Sequence, residues 1–299
     1  MPSQIDLPVP PSASGVRLDA FIAEALGISR RYVHRLIARG GLRHNGTPAA
    51  KGAILRAGDQ IQVDPFRHPS EGPRAVADPD LTVIRQADGL LAVDKPAGAP
   101  THPLDFDEVG TVLNALLARC PETLGVGEGG LRSGVVHRLD TFTSGVQVFA
   151  TEEGAWQRAR RAFNDRLVRK RYVARVHGHL GGDHELTLRL ESRGRRMRPV
   201  AHGGKPAISH IRELTGDEHS TLVEVFPLTG LRHQIRVTLA HLGHPVIGDR
   251  LYGSDRNLSR HLLHAVEIDI EGFTATSSAP PEIVEASGAD AGEPGTGPG

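Results

Sequence analysis

Cysteine is nearly missing from this chain: Cys120 is the only one in 299 residues. That excludes a disulfide framework and a cysteine-rich zinc site. No apolar run approaches the roughly 20 residues that a membrane-spanning helix needs. The opening stretch MPSQIDLPVPPSASG lacks the charged-then-apolar order of a signal peptide. These absences set the expectation of a soluble, cytoplasmic protein. Net charge is missing too, with 35 Lys and Arg against 35 Asp and Glu, but the balance hides a segregation. Residues 1–63 carry eight basic against four acidic side chains, residues 158–175 eight against one, and residues 189–205 six against one. Residues 267–299 restore neutrality with seven acidic and no basic residues. Concentrated basic stretches in a neutral chain suit a polyanionic partner.

The N-terminal third reads as a small module. Residues 1–15 are rich in Pro and Ser and are expected to be flexible. In RLDAFIAEAL, Leu18, Phe21, Ile22, Ala25 and Leu26 recur at helical spacing, and Gly27 stops the helix. Ser29 caps a second helix, RRYVHRLIARG, with Val33, Leu36 and Ile37 inward. On that helix Arg31, Arg35 and Arg39 recur every fourth residue and form a basic stripe. Short strands around an Asn45-Gly46 turn follow. This order resembles the S-four-like RNA-binding domain over residues 16–64, which implies RNA contacts by the three arginines.

Residues 65–80 read as a Pro-rich linker. Beyond it, strands around LTVIRQ, LLAVDKP, KRYVARVHG, TLVEVFPL and LLHAVEIDI mix with helices around VGTVLNALLAR, GAWQRARRAFNDR and LRHQIRVTLAHLG. Strands outnumber helices at irregular spacing, so the expected fold class is α+β, with a mixed, mostly antiparallel sheet across residues 81–278. Residues 279–299 are acidic and of low complexity, and are expected to be disordered.

Chemistry concentrates in GVVHRLDTFTSGVQVFA, residues 134–150, where Asp140 lies between two strand-like arms. Three readings compete for such motifs. GVGEGG at 125–130 matches the spacing of a dinucleotide fingerprint, but a helix precedes it where a strand is required. Ser144, His137 and Asp140 lack a nucleophile elbow, and three triad members within eight residues can hardly converge. HLLH and HLGH do not have the form of a helical zinc site. No metal site is expected.

The chain resembles the RluA-like pseudouridine synthases over about residues 80–278. The resemblance rests on LLAVDKPAGAPTHP, HRLDTFTSG, RKRYVARVHG, TGLRHQIRVTLAHLGHPVIGDRLYG and LLHA, in that order. It implies isomerisation of uridine in structured RNA, with the glycosidic bond broken and the base rejoined through carbon, and with no cofactor. By the same resemblance Asp140 starts the reaction, Arg236 is the guanidinium that favours its ionised form, and Tyr172 offers the uracil a flat face. Arg138 is implied to push into the RNA stack as the target nucleotide is extruded, and Lys95, Arg169 and Lys170 to contact RNA. A basic helix over 158–171 and the arginines at 193, 195, 196 and 198 would serve the phosphate backbone. The expected partner is ribosomal or transfer RNA, and the expected state a monomer. Two departures from the usual pattern stand out: TGLRHQIR places Leu231 and Arg232 where the basic residue comes one position earlier, and Thr238 replaces a common histidine. An RNA-binding protein of the same fold without catalysis is the competing reading. A nucleoside hydrolase using Asp140, which would release free uracil, is a third.

Overall fold

A computed structural model describes residues 4–78, 80–253 and 258–285. The chain divides into two compact units. One comprises residues 1–73 with 105–107, the other residues 74–104 with 108–299.

In the first unit, strand β1 (Ile5–Pro8) precedes helices α1 (Leu18–Ala25) and α2 (Arg30–Ala38), and β2 (Leu42–His44), β3 (Thr47–Pro48) and β4 (Gln60–Val63) follow. The strands form an antiparallel sheet in the order β1-β4-β2-β3. The β2–β3 turn uses Asn45 and Gly46, both at positive φ (51° and 78°), as a two-residue hairpin of this hand requires. Ser29 caps α2 by accepting the Tyr32 N–H at 3.2 Å, a cap that contributes about 1 kcal/mol. Leu18, Ile22, Val33, Leu36, Ile61 and Val63 close the core.

Two boundaries differ from expectation. Residues 5–8, read as part of a flexible leader, form a strand, because pairing with β4 satisfies their backbone. The first half of the proposed linker belongs to this unit: the Tyr32 hydroxyl donates to the Arg67 carbonyl at 2.8 Å, and Phe66 packs edge-on against Tyr32. Tyr32 joins Val33 and Leu36 among the buried residues of α2, and Ile37, half-buried, packs against the same core as expected.

The second unit is built on one ten-stranded sheet. Its strands are β5 (Thr82–Ala87), β6 (Leu90–Lys95), β7 (Ser144–Ala150), β8 (Arg169–His177), β9 (His184–Arg193), β10 (Arg196–Pro199), β11 (Lys205–Gly216), β12 (Ser220–Pro227), β13 (Leu263–Ile270) and β14 (Phe273–Thr276). Their order is β10-β9-β11-β12-β8-β13-β7-β6-β5, with β14 on β13. Every named pair is antiparallel except β7 with β13, so the sheet is mixed and mostly antiparallel, as its sequence pattern indicates. Helices α3 (Val112–Arg119), α4 (Glu153–Asn164), α5 (Gln234–His241) and α6 (Pro281–Val284) complete the unit.

Alternation along β6 explains the layering. Leu90 and Ala92 join the cluster that holds Ala155, Ala159 and Ala162 of α4. Leu91 and Val93 join the cluster that holds Leu113, Leu116 and Leu117 of α3. With a helix over each face, β7 is buried along its whole length, and Phe149 has no exposure.

At the parallel junction Gly145 (φ 107°) pairs with Ala265, and any Cβ there would run into the Ala265 backbone.

Several expectations need correction. The first arm of the 134–150 stretch is not a ladder strand. Gly134 turns at φ 68°, and the ladder pairing of this segment with β7 is one isolated Val135–Phe149 bridge. The basic helix over 158–171 ends at Asn164. Arg166 adopts φ 59°, and the chain re-enters the sheet at Arg169. The β9–β10–β11 meander was not anticipated; β9 alternates half-buried and exposed residues for most of its length, so its apolar signal is weak. Of the proposed disordered tail, residues 281–284 form a short helix with Ile283 fully buried, and Arg175 donates to the Ile283 and Val284 carbonyls. The remainder, 286–299, lies outside the described residues.

Candidate active site

Asp140 stands in the irregular segment before β7, and its backbone is pinned from several directions. The Thr101 hydroxyl donates to the Leu139 carbonyl at 3.2 Å. The Thr141 carbonyl accepts from Lys95 Nζ at 2.9 Å and from the Gly98 N–H at 2.8 Å. Thr143 donates its N–H to the Asp140 carbonyl at 3.0 Å, and its hydroxyl bonds His261 Nε2 at 2.8 Å. The segment LDT therefore has little freedom, although it belongs to no regular element.

Lys95 was expected to contact RNA, and the structure places it elsewhere. Its side chain is fully buried and donates to the carbonyls of Pro96, Ala99 and Thr141 at 2.7–2.9 Å. Burial pushes its ammonium down to about 7, against the pull of the Asp140 charge. The KPAG segment is thus an internal brace for the aspartate loop.

Arg236 comes from α5, 96 positions away in sequence, and its Nη1 donates to Asp140 Oδ2 at 2.8 Å. The other side of the guanidinium is taken by Asp249, with Nε to Oδ2 and Nη2 to Oδ1, both 2.7 Å. The Asp249 side chain has no exposure, and Oδ1 also accepts the N–H groups of Leu251 and Tyr252. Burial works against the charge on Arg236, but Asp249 and then Asp140 outweigh it and raise its pKa. Burial alone would raise the Asp249 carboxyl, yet the Arg236 hydrogen bonds and charge hold it below the usual range. Asp249 lay within a quoted motif but received no role there, since DRLYG gives no hint of its partner.

An open cavity of about 520 Å³ meets this ion pair. Its lining includes Arg138, Asp140, Lys170, Tyr172, His233 and Arg236. Tyr172 lies on β8, half-buried, and burial followed by the Asp140 charge raises its hydroxyl pKa, so the phenol stays neutral. Lys170 donates to the Thr229 carbonyl at 3.0 Å and sits 6.0 Å from the Phe163 ring; burial pushes it down to about 8. Arg138 is exposed. Arg169, its neighbour on β8 being inward, points outward and pairs with Asp269 at 2.7 Å.

In the first unit Arg31 is exposed, while Arg35 and Arg39 face Asp105 (3.6 Å) and Asp107 (2.6 Å), so two of the three stripe arginines already have carboxylate partners. Arg232, one of the sequence departures, ties the β9–β10 turn by donating to Ser192 Oγ and to the Gly194 and Arg196 carbonyls. Arg193, Arg195, Arg196 and Arg198 of that hairpin are all exposed.

The competing chemistries fail on geometry. His137 Nε2 accepts the Val148 N–H at 2.9 Å, and Ser144 bonds His264 and Arg260, so no Ser-His-Asp relay forms. Gly125–Gly130 form a loop after α3, with Gly127 bonded to Glu153. Among the described residues no group of three or more His, Cys, Asp or Glu could hold a metal ion. No helix of the described residues is long and apolar enough to cross a membrane.

A mixed, mostly antiparallel sheet thus presents an arginine-braced carboxylate at the edge of an open cavity lined by basic side chains. The family model for RNA pseudouridylate synthase matches residues 89–241, a span that holds Asp140, Tyr172 and Arg236. An RNA pseudouridine synthase of Chloroflexus aurantiacus is 37% identical over 292 residues, covering 92% of this chain and 91% of that one. The ribosomal large subunit pseudouridine synthase D of Xanthomonas campestris is 35% identical over 268 residues, covering 89% and 80%. Among solved structures, human RNA pseudouridylate synthase domain containing 1 aligns with TM-score 0.54 and 26% identity, over 68% of this chain and 84% of that one. The chain belongs to the RNA pseudouridine synthases, of the RluA-like kind, and is an isomerase.

Proposed function

We propose that Asp140 is the catalytic carboxylate and that the target is a uridine of large-subunit ribosomal RNA. The observation that carries this reading is the 2.8 Å bond from buried Arg236 to Asp140 at the edge of an open cavity. The bond occupies Oδ2 and, among the described residues, no hydrogen bond reaches Oδ1. That leaves one carboxylate oxygen to act on the sugar of an extruded nucleotide, either as nucleophile or as base. Tyr172 supports the uracil, and Arg138 takes the space that the extruded nucleotide leaves, which offsets part of a cost of a few kcal/mol. The α2 surface and the β9–β10 arginines serve the RNA backbone, and residues 16–64 act as an S-four-like accessory module. Relatives named for the ribosomal large subunit support the choice of substrate, and transfer RNA is the alternative. The enzyme is proposed to work in the cytoplasm as a monomer.

The test compares RNA from cells with and without this gene by mapping carbodiimide-stalled reverse transcription. The protein is then restored as wild type or as Asp140→Asn. Wild type is expected to return a discrete stop in 23S-type RNA; the variant is expected to bind RNA with near-normal affinity and to return none. A stop restored by Asp140→Asn refutes the assignment of the carboxylate. Loss of all stops with retained binding in wild type favours a binding protein without catalysis.

A further inference from the structure

His233 is the residue before α5, and it adopts a left-handed backbone (φ 55°, ψ 17°). A β-carbon residue in that region costs free energy and persists only where its surroundings hold it. What holds it is Tyr252. His233 Nδ1 lies 2.8 Å from the Tyr252 hydroxyl, and the two rings meet edge-on at 5.6 Å. The Tyr252 oxygen in turn accepts the Met197 N–H at 2.8 Å, and the ring lies 5.3 Å from the Arg236 guanidinium carbon.

The Tyr252 oxygen already accepts the Met197 N–H and keeps its own proton to give to Nδ1; the tautomer that uses it has Nδ1 accepting and Nε2 carrying the hydrogen. Burial disfavours the charged imidazole; the Asp140 charge opposes this, and Arg236 and Arg232 reinforce it, with a lowered pKa as the outcome. The Nε2–H group lies 4.0 Å from Asp140 Oδ1, the oxygen that Arg236 does not reach. That distance is too long for a hydrogen bond between the two. It is the span of two ordinary hydrogen bonds that meet at about a right angle on a shared atom. A donor and an acceptor so spaced fit one hydroxyl group, which accepts from Nε2–H and donates to Oδ1.

In an internal nucleotide of an RNA chain the 3′ and 5′ oxygens are esterified, so the only free hydroxyl on the sugar is the 2′-hydroxyl. Building on the catalytic reading of Asp140, we infer that His233 and Asp140 Oδ1 together bind the 2′-hydroxyl of the target nucleotide, with Tyr252 as the positioning residue that sets the imidazole tautomer. The pair then both selects ribose over deoxyribose and holds the sugar against the Asp140 carboxylate.

The test uses full-length protein and two oligonucleotides around the mapped target, one with uridine and one with 2′-deoxyuridine at that position. Single-turnover measurements give the dissociation constant and the rate for wild type, His233→Phe and Tyr252→Phe, each checked for folding by circular dichroism. Wild type is expected to bind the deoxy substrate roughly tenfold more weakly, the weight of one well-placed hydrogen-bonded hydroxyl. His233→Phe is expected to bind the two substrates equally, and Tyr252→Phe to lose part of the discrimination while keeping the imidazole. If His233→Phe does not fold, Tyr252→Phe decides, and full discrimination by it overturns the inference. So does wild type that fails to distinguish the substrates, or His233→Phe that distinguishes them as wild type does. An active Asp140→Asn enzyme would instead bring down the catalytic reading itself.

Discussion

Replacing Asp249 by Asn tests the brace behind the proposed catalytic carboxylate. Asp249 has no exposed side-chain surface, makes two 2.7 Å bonds to Arg236, and accepts two backbone N–H groups on Oδ1. Asn keeps the shape, but it removes the charge and presents an NH2 group toward a guanidinium. Arg236, itself buried, is left with Asp140 as its one carboxylate partner among the described residues. Breaking a buried ion pair from one side costs about 3–5 kcal/mol, which for a unit of this size lowers Tm by roughly 10 °C. The folded pKa of Asp249 is lowered, so its stabilisation is present above the ordinary carboxylate range and is lost as pH falls through the folded value. The gap in Tm between wild type and Asp249→Asn should therefore be widest near neutral pH and narrow in acid. In single-turnover assays below the variant's Tm, the rate should fall while RNA affinity holds, because no proposed RNA-contacting side chain has been touched. Calorimetry at several pH values and a pseudouridylation assay suffice. A Tm change under about 2 °C at pH 7, or an unchanged rate, would refute the idea that Asp249 holds Arg236 in place.

Lys95→Met takes the shared donor from three part-buried carbonyls; Thr141 keeps the Gly98 N–H, so those of Pro96 and Ala99 lose their hydrogen bond, and at about 1 kcal/mol or more for each the variant should lose roughly 2 kcal/mol in urea unfolding, with RNA affinity of the folded protein unchanged. A stable variant that binds RNA poorly would reinstate Lys95 as an RNA contact. Lys170, pushed down to about 8 by burial, binds fewer protons folded than unfolded between pH 8 and its ordinary value near 10.4; it should therefore make wild type gain stability relative to Lys170→Met as pH rises through that window. Thermal melts at pH 7 and pH 10 check the sign, and an equal difference at both would contradict it. Replacing Arg193 and Arg195 with Ser should lower the slope of log affinity against log salt by about 0.7–0.9 for each phosphate contact removed, read from RNA titrations at 50–200 mM salt. An unchanged slope would remove the β9–β10 hairpin from the RNA surface.

Much of the site was legible because its residues sit in extended motifs. HRLDTFTSG and TGLRHQIR carry Asp140 and Arg236, and RKRYVARVHG carries Tyr172. What the sequence could not express is burial. Lysine is usually a surface residue, so Lys95 reads as an RNA contact until three carbonyls are found around its ammonium. Asp249 was invisible for a related reason: its function is to face Arg236 from the next loop, and neither residue's neighbours encode that meeting. The arginine stripe on α2 was correct as a periodicity, yet Arg35 and Arg39 meet Asp105 and Asp107, which come from far along the chain. The alternating apolar residues of 134–139 resembled a strand, but Gly134 and the pinned LDT segment take the backbone out of the ladder. His233 offered no signal at all, because a positive φ leaves no trace in composition.

Gly145 bears on any attempt to retarget this enzyme. It sits five residues past Asp140, at the parallel junction of β7 and β13, in a conformation and a gap that admit no side chain. Random mutagenesis of the surrounding stretch should thus return inert proteins whenever codon 145 changes, whatever RNA is offered. Variation in target choice has to be sought in exposed positions such as Arg138 and Phe142, and a library that leaves this one glycine untouched would waste far fewer of its members.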